Sequence, residues 1–363
     1  MAINTEGITG RRGKLSTSKK DIEIMRRPKI IADSHIPSLQ GRLEAWSEPC
    51  YLEPADITAD IVRDADALIV RTRTRCNREL LEGSNVRMIA TATIGTDHID
   101  TDYTREAGIS VANAPGCNAP GVAQYVWASL LTLGMDPKEL RMAVIGKGNI
   151  GSVVASWGRK LGAEIRVCDP PRAEAGFDDE TYHPLEELLG WADVVTIHTP
   201  LTTTGNCPTR HMLNSDTLSR MRPGATLINA ARGEVVDTEA LIEESHRKGF
   251  NLIIDTWENE PRISRQLLQT ALIATPHIAG YSAEGKQRGT RMALEATANF
   301  FGVTPDISGL AGPYIEPERI DPDRILASYF PLADTLALKQ NPLNFESLRS
   351  NYSFRAEPRF DRI

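Results

Sequence analysis

The sequence predicts an α/β protein built from two doubly wound parallel-sheet domains with a cleft between them, followed by a small α+β segment. Two observations lead there. Short apolar runs alternate with helical stretches along most of the chain, and a glycine-rich turn joins one such run to a helix between residues 142 and 161. The scale agrees: 363 residues, 41% hydrophobic and 25% charged, is an ordinary globular composition with room for two domains.

Taken in order, residues 1–28 are polar and basic, with Arg11, Arg12, Lys14, Lys19 and Lys20 and no apolar stretch. They read as a disordered extension rather than a secretory signal, and Met25 is an alternative start. Residues 29–33 (Lys-Ile-Ile-Ala-Asp) are the first buried strand, followed by a helical stretch over Leu39–Trp46. Ala67–Arg71 and Met88–Thr91 are further strands, so 29–116 forms one α/β domain. Pro120 to Gly134 is a long helix, with proline suited to its first turn and glycine to its stop. A stronger alternation then fills residues 117–279. Its strands are Met142–Gly146, Glu164–Asp169, Ala192–His198, Thr226–Asn229, Leu252–Asp255 and Leu272–Thr275, with helices at Asn149–Leu161 and Leu185–Leu189. Residues 280–302 hold an amphipathic helix that returns to the first domain, whose sheet otherwise lacks a cover. Beyond residue 302 periodicity fades and Pro, Asp and Arg increase.

The bulk properties exclude several classes. A net charge of −7 argues against a nucleic-acid partner, which needs a basic face. No apolar run approaches the ~20 residues that span a bilayer, so no membrane partner is expected. Five scattered cysteines without a C-x-x-C pair suit a reducing, cytoplasmic setting. No metal-ligand spacing occurs, so no catalytic metal is expected.

The sharpest motif is Gly146-Lys-Gly148-Asn149-Ile150-Gly151, between a strand and a helix, with Asp169 ending the next strand. In this Rossmann-like context Gly146 makes the tight turn and Gly148 admits the pyrophosphate to the backbone. Gly151 allows the helix to pack closely, and Asn149 and Ile150 open it. The helix terminus offers N–H donors to phosphate. Asp169 suits the ribose hydroxyls and repels a 2′-phosphate, which favours NAD over NADP even with Arg172 close by.

Three later segments end strands with ionisable side chains: Leu227 through Arg232 to Asp237, Ile254-Asp255-Thr-Trp-Glu258-Asn-Glu260-Pro261, and Thr275-Pro276-His277-Ile-Ala-Gly280-Tyr281. In open α/β sheets ligands bind outside the carboxyl ends of strands, so Arg232, an acid and His277 can converge on a nicotinamide. With the glycine motif, these segments resemble the D-isomer-specific 2-hydroxyacid dehydrogenase family in content and order, over about residues 29–301. The resemblance implies catalysis by Arg232, Glu260 and His277. Imidazole can accept the hydroxyl proton near neutral pH, Glu260 fixes its tautomer, and the Arg232 fork grips the α-carboxylate. Glu258 is the rival acid. His35, His183, His211 and His246 lack such company, and His98 and His198 carry no derivable role.

Resemblance further implies that Thr199, Asp255 and Gly280 contact the cofactor. Four stretches are similar to a family branch that acts on a small phosphorylated 2-hydroxy acid: 91–100, 114–119, 169–173 and 277–286. In that branch Thr72, Thr93 and Tyr281 fall at substrate positions. Arg71, Arg73 and Arg75 alternate at a strand end, which would turn all three toward one anion, and Arg71 is the foremost candidate. The branch also implies a homodimer, held by a dimerisation segment that is here shortened to residues 303–363. The alternatives are a dehydrogenase for 3-phosphoglycerate or an unphosphorylated acid, and an NAD-sensing scaffold like the family's co-repressor lineage.

Overall fold

A computed structural model describes residues 26–176 and 178–360. The expected extension therefore falls almost wholly outside the described residues, as does Met25. Strands β1 (Lys29–Asp33), β2 (Glu48–Leu52), β3 (Ala67–Val70), β4 (Met88–Thr91) and β5 (Ser110–Ala112) form one sheet, ordered β2-β1-β3-β4-β5. Strands β6 (Arg141–Ile145), β7 (Glu164–Cys168), β8 (Val194–Ile197), β9 (Thr226–Asn229), β10 (Asn251–Ile254) and β11 (Ile273–Ala274) form the second, ordered β11-β10-β9-β8-β6-β7. Every pairing is parallel. The chain reverses direction at β1 in one sheet and at β6 in the other, which makes the strand ends beside them the natural crevices.

Runs such as Ala67-Leu-Ile-Val70 and Val194-Val-Thr-Ile197 are buried along their whole length. Parallel strands covered on both faces require such continuous apolar runs. Helix α1 (Ala119–Thr132) is almost wholly buried and packs on α2 (Asn149–Leu161), with the Trp127 indole donating to the Val154 carbonyl at 3.1 Å. Helix α3 (Thr238–Lys248) covers the second sheet through Ala240 and Leu241. Helix α4 (Ala283–Phe300) follows the second sheet in sequence yet packs on β3 and β4, where Ala293 and Leu294 join Ile30, Ile69 and Ala90 in one core.

Two local readings need correction. Leu39–Trp46 is a series of turns, not a helix: its amides bond three residues back, as in Arg42 to Leu39 and Trp46 to Leu43 at 3.2 Å. Leu39 and Leu43 are buried at helical spacing, but Ser38 (φ +59°) and Gly41 (φ +90°) turn the backbone out of a helix. The segment Arg71–Arg75 does not extend β3 either. It turns at once, with Thr74 N–H bonded to the Arg71 carbonyl, so the three arginines do not alternate on one strand face. Strand β2 went unread because Pro49 lies in it; as an edge strand it needs no amide there.

Where an α+β segment was expected after residue 302, the described residues form helices α5 (Pro322–Ser328), α6 (Pro331–Gln340) and α7 (Phe345–Ser350). One isolated bridge, Ser282 to Arg355, is the only sheet-like pairing there. Leu338 and Phe345 are fully buried within the second sheet's core, so this segment is packed onto that domain.

Candidate active site

The glycine turn follows β6. Gly146 has φ +89°, a conformation open mainly to glycine, and a Cβ there would sit 2.8 Å from the His198 carbonyl oxygen. A Cβ on Gly151 would lie 1.9 Å from the Gly146 carbonyl oxygen, so α2 approaches the strand only because that atom is missing. Gly148 faces open space, with nothing within 4 Å of a built Cβ. Asp169 sits beside this turn because β7 pairs in register with β6; its carboxylate accepts from Lys147 N–H at 2.8 Å and from Arg172 N–H at 3.2 Å. Lys147 itself pairs with Asp178 and Glu180 at 3.0 and 2.7 Å.

Around the turn are polar atoms with unused capacity. Among the described residues, the Thr199 hydroxyl and the Asn118 amide oxygen are buried without a hydrogen-bond partner. Thr199 borders the loop, 3.0 Å from a Cβ built on Gly146, and Asn118 lies against Gly280. An open glycine cradle, a helix N-terminus beginning at Asn149 and these orphaned groups fit a dinucleotide. Ile150 packs partly buried against the α1–α2 core.

Asp255 is placed differently from a surface cofactor contact. It is 1% exposed, and its carboxylate accepts from the Thr275 hydroxyl (2.6 Å) and from the amides of Ile278 (2.7 Å) and Ala279 (2.9 Å). It thus moulds the 276–281 loop, in which His277 has φ +59° and donates its amide to the Asp255 carbonyl. Burial pushes the Asp255 carboxyl up, while His277 and the three donors act against that rise.

His277 Nδ1 lies 2.8 Å from Glu260 Oε2, and the other Glu260 oxygen accepts from Trp257 N–H at 2.9 Å. Burial works to raise the Glu260 carboxyl, yet the His277 ring, the Trp257 amide and Arg349 together hold it below the usual carboxylate range. It is therefore ionised at neutral pH. Glu258 is occupied elsewhere: its oxygens meet His211 Nε2 at 2.7 Å and Thr238 N–H at 3.0 Å. Geometry thus separates the two acids. Arg232 follows β9, with its loop tied by Asn229 to the Arg232 carbonyl, and reaches across to Asp97 of the first domain at 3.0 Å.

Of the residues expected at the substrate, Arg71 makes a two-pronged bond to buried Asp33 (2.8 and 3.1 Å), which commits its fork to the end of β1. Arg73 bonds Glu346 and Ser350 of α7, while Thr72 and Arg75 are exposed. The Thr93 hydroxyl bonds Thr91 at 2.7 Å and the Gly95 carbonyl at 3.2 Å. The Tyr281 hydroxyl accepts from Arg349 Nε at 3.3 Å, and Lys286 Nζ stands 3.6 Å from the Tyr281 ring centroid. Burial works to raise the Tyr281 hydroxyl, but Lys286, Arg349 and Arg73 bring it below its ordinary value.

Arg349, Lys286 and Arg355 went unread as site residues. Lys286 closes the 277–286 stretch, which carried a resemblance, and Arg349 lies in the shortened segment after residue 302, but neither residue has a spacing that signals a ligand. Arg355 lies under the catalytic loop, bonding the carbonyls of Ile278 (2.9 Å), Gly121 (3.0 Å) and Ala279 and the Gln124 side chain (2.9 Å).

Residues 120–279 match the model for the D-isomer specific 2-hydroxyacid dehydrogenase NAD binding domain. An erythronate-4-phosphate dehydrogenase of Bacteroides fragilis is 43% identical over 346 residues, covering 92% of this chain and 99% of that protein. A Pseudomonas fluorescens protein of the same name is 45% identical over 278 residues, or 75% of this chain and 73% of that one. Among solved structures, D-lactate dehydrogenase from Aquifex aeolicus, complexed with NAD and lactic acid, superposes with a TM-score of 0.65 at 28% identity. That match covers 76% of this chain and 95% of the other.

Proposed function

This chain belongs to the D-isomer-specific 2-hydroxyacid dehydrogenase family and is an NAD-dependent enzyme, and we propose that it oxidises 4-phospho-D-erythronate at C2 to 3-hydroxy-2-oxo-4-phosphobutanoate. The observation that carries this reading is His277 held by Glu260 at 2.8 Å while Arg232 reaches across the cleft to Asp97. Similarity to the erythronate-4-phosphate dehydrogenases supports the choice of substrate.

Bound NAD supplies the hydride acceptor. Gly146, Gly148 and Gly151 with the amino end of α2 hold its pyrophosphate, Asp169 its ribose, and Thr199 and Gly280 line the same mouth. Asp255 acts from beneath by shaping the loop. Arg232 exchanges Asp97, which is exposed, for the substrate carboxylate and fixes C2 through its planar fork. The free Nε2 of His277 takes the hydroxyl proton as the C–H bond breaks. Glu260, ionised, keeps the proton on Nδ1 and stabilises the imidazolium that results.

Tyr281, Thr93 and Thr72 surround the remainder of the acid, with Arg71 acting from its pair with Asp33. The enzyme works in the cytoplasm within pyridoxine 5′-phosphate synthesis, a setting that suits its five free cysteines. It acts as a homodimer through the carboxyl-terminal segment, where Ile315, Phe330, Leu336 and Leu343 are exposed at 85, 58, 59 and 86%.

The test is NADH formation from 4-phospho-D-erythronate, 3-phospho-D-glycerate and D-lactate by the wild-type protein and by His277→Asn. The phosphorylated four-carbon acid should give the highest kcat/KM, and the variant should lose about 10²–10⁴-fold in kcat. A higher kcat/KM for either other acid would overturn the substrate assignment.

A further inference from the structure

The described residues leave one cationic group near the site without an anion. Arg71 pairs with Asp33 and Arg73 with Glu346. Lys286 has no carboxylate within ion-pair distance among the described residues; its ammonium rests on the Tyr281 ring at 3.6 Å, with Phe354 further off at 5.5 Å. Burial pushes the Lys286 ammonium below its ordinary value, with Arg71 and Arg349 adding repulsion. Arg349 donates its Nε to the Tyr281 hydroxyl at 3.3 Å, has Glu260 at 3.7 Å and feels the charge of Glu346, which Arg73 also engages. A buried ammonium with no carboxylate beside it is costly unless a ligand brings the missing charge.

We propose that Lys286, over the Tyr281 ring, and Arg349, bonded to its hydroxyl, form the subsite for the substrate's terminal phosphate, so that helix α7 of the carboxyl-terminal segment selects the phosphorylated acid. The inference rests on the phosphorylated-acid reading above. Its position suits that role: Tyr281 follows His277 by four residues, and Glu260 touches both His277 and the edge of Arg349. A hydroxy acid with C2 at His277 carries its phosphate only a few bonds further on. An ammonium, a guanidinium and a phenol provide charge and donors for three phosphate oxygens. A phosphate dianion would reverse the repulsion that now weakens the Lys286 ammonium. It would also draw α7, already linked to Arg73 through Glu346 and Ser350, against the first domain.

The experiment compares kcat/KM for 4-phospho-D-erythronate and for D-erythronate in wild type, Lys286→Gln, Arg349→Gln and Lys286→Arg. NAD binding, followed by fluorescence, checks that each variant is folded. The preference for the phosphorylated acid should fall about 10–100-fold in each Gln variant, as expected for losing one charge-assisted hydrogen bond. Lys286→Arg should keep most of it. Inorganic phosphate should compete with substrate in wild type and lose potency in parallel. If both acids slow equally, so that the preference is unchanged, the two residues merely support the loop and the subsite is refuted. A wild type that ignores the phosphate removes the substrate reading and this subsite with it. A wild type that prefers the phosphorylated acid, with variants that retain the preference, removes the subsite alone.

Discussion

At the residue scale, the reacting set is ordered by groups that do not react. His277 occupies a backbone conformation unfavourable to a side chain, and Asp255 holds it there through two amides beyond it. The residue types at the strand ends were legible because the chemistry demands an imidazole, an acid and a guanidinium. The partner of His277 was legible only through the resemblance, and that of Arg71 not at all. Nothing in the spacing of Glu258 and Glu260 tells which reaches His277, and nothing near Arg71 reveals its bond to Asp33, 38 residues away. Two further histidines, whose role the sequence left blank, affect stability instead. Burial lowers His198 to about 3 and lowers His98 as well. Both are neutral when folded and become protonated when unfolded, near pH 6.5. Their stabilising contribution is therefore complete above pH 6.5 and declines as pH falls toward the folded values. For His198 alone, unfolding free energy should fall by about 2 kcal/mol between pH 6.5 and 5. Urea titrations of wild type and His198→Asn measure this; the variant should show the shallower decline, and equal slopes would contradict it.

At the scale of elements, continuous apolar strands and the glycine turn were readable because parallel sheets permit little else. Leu39–Trp46 shows the limit: buried leucines four apart look helical, yet φ at Ser38 and Gly41 settles the backbone first. The carboxyl-terminal helices were illegible for another reason. Their apolar faces are short, and they bury single residues, such as Phe345, into a core assembled by another part of the chain. The glycine turn yields a paired prediction. Gly148→Ala meets no protein atom within 4 Å, so thermal stability should hold while NAD affinity drops about 10-fold or more as the added methyl crowds the pyrophosphate. Gly151→Ala meets the Gly146 carbonyl at 1.9 Å and should cost about 1–3 kcal/mol of stability as well as affinity. Calorimetry of both variants with and without NAD separates the two effects; equal melting losses would contradict the distinction.

At the scale of the whole molecule, the carboxyl-terminal segment is stitched into the catalytic loop rather than appended to it. Arg355 reaches three carbonyls around residues 121 and 278–279, and Glu357 receives Ser282 and Arg288. Removing Arg355 strands those carbonyls in the interior. Arg355→Met should therefore destabilise the protein by about 2–4 kcal/mol and lower kcat more than NAD affinity. Denaturant melts and stopped-flow turnover would check both; a variant with wild-type turnover would contradict the role. The crossing of α4 onto the first sheet has its own consequence, for how the protein is made. The first sheet's strands leave the ribosome early, but the helix that shields Ile30, Ile69 and Ala90 is translated only at residues 283–300. The nascent amino-terminal sheet must wait, with one apolar face bare, while every strand of the second sheet is translated. It gains that cover before the second core receives Leu338 and Phe345, so both domains mature late.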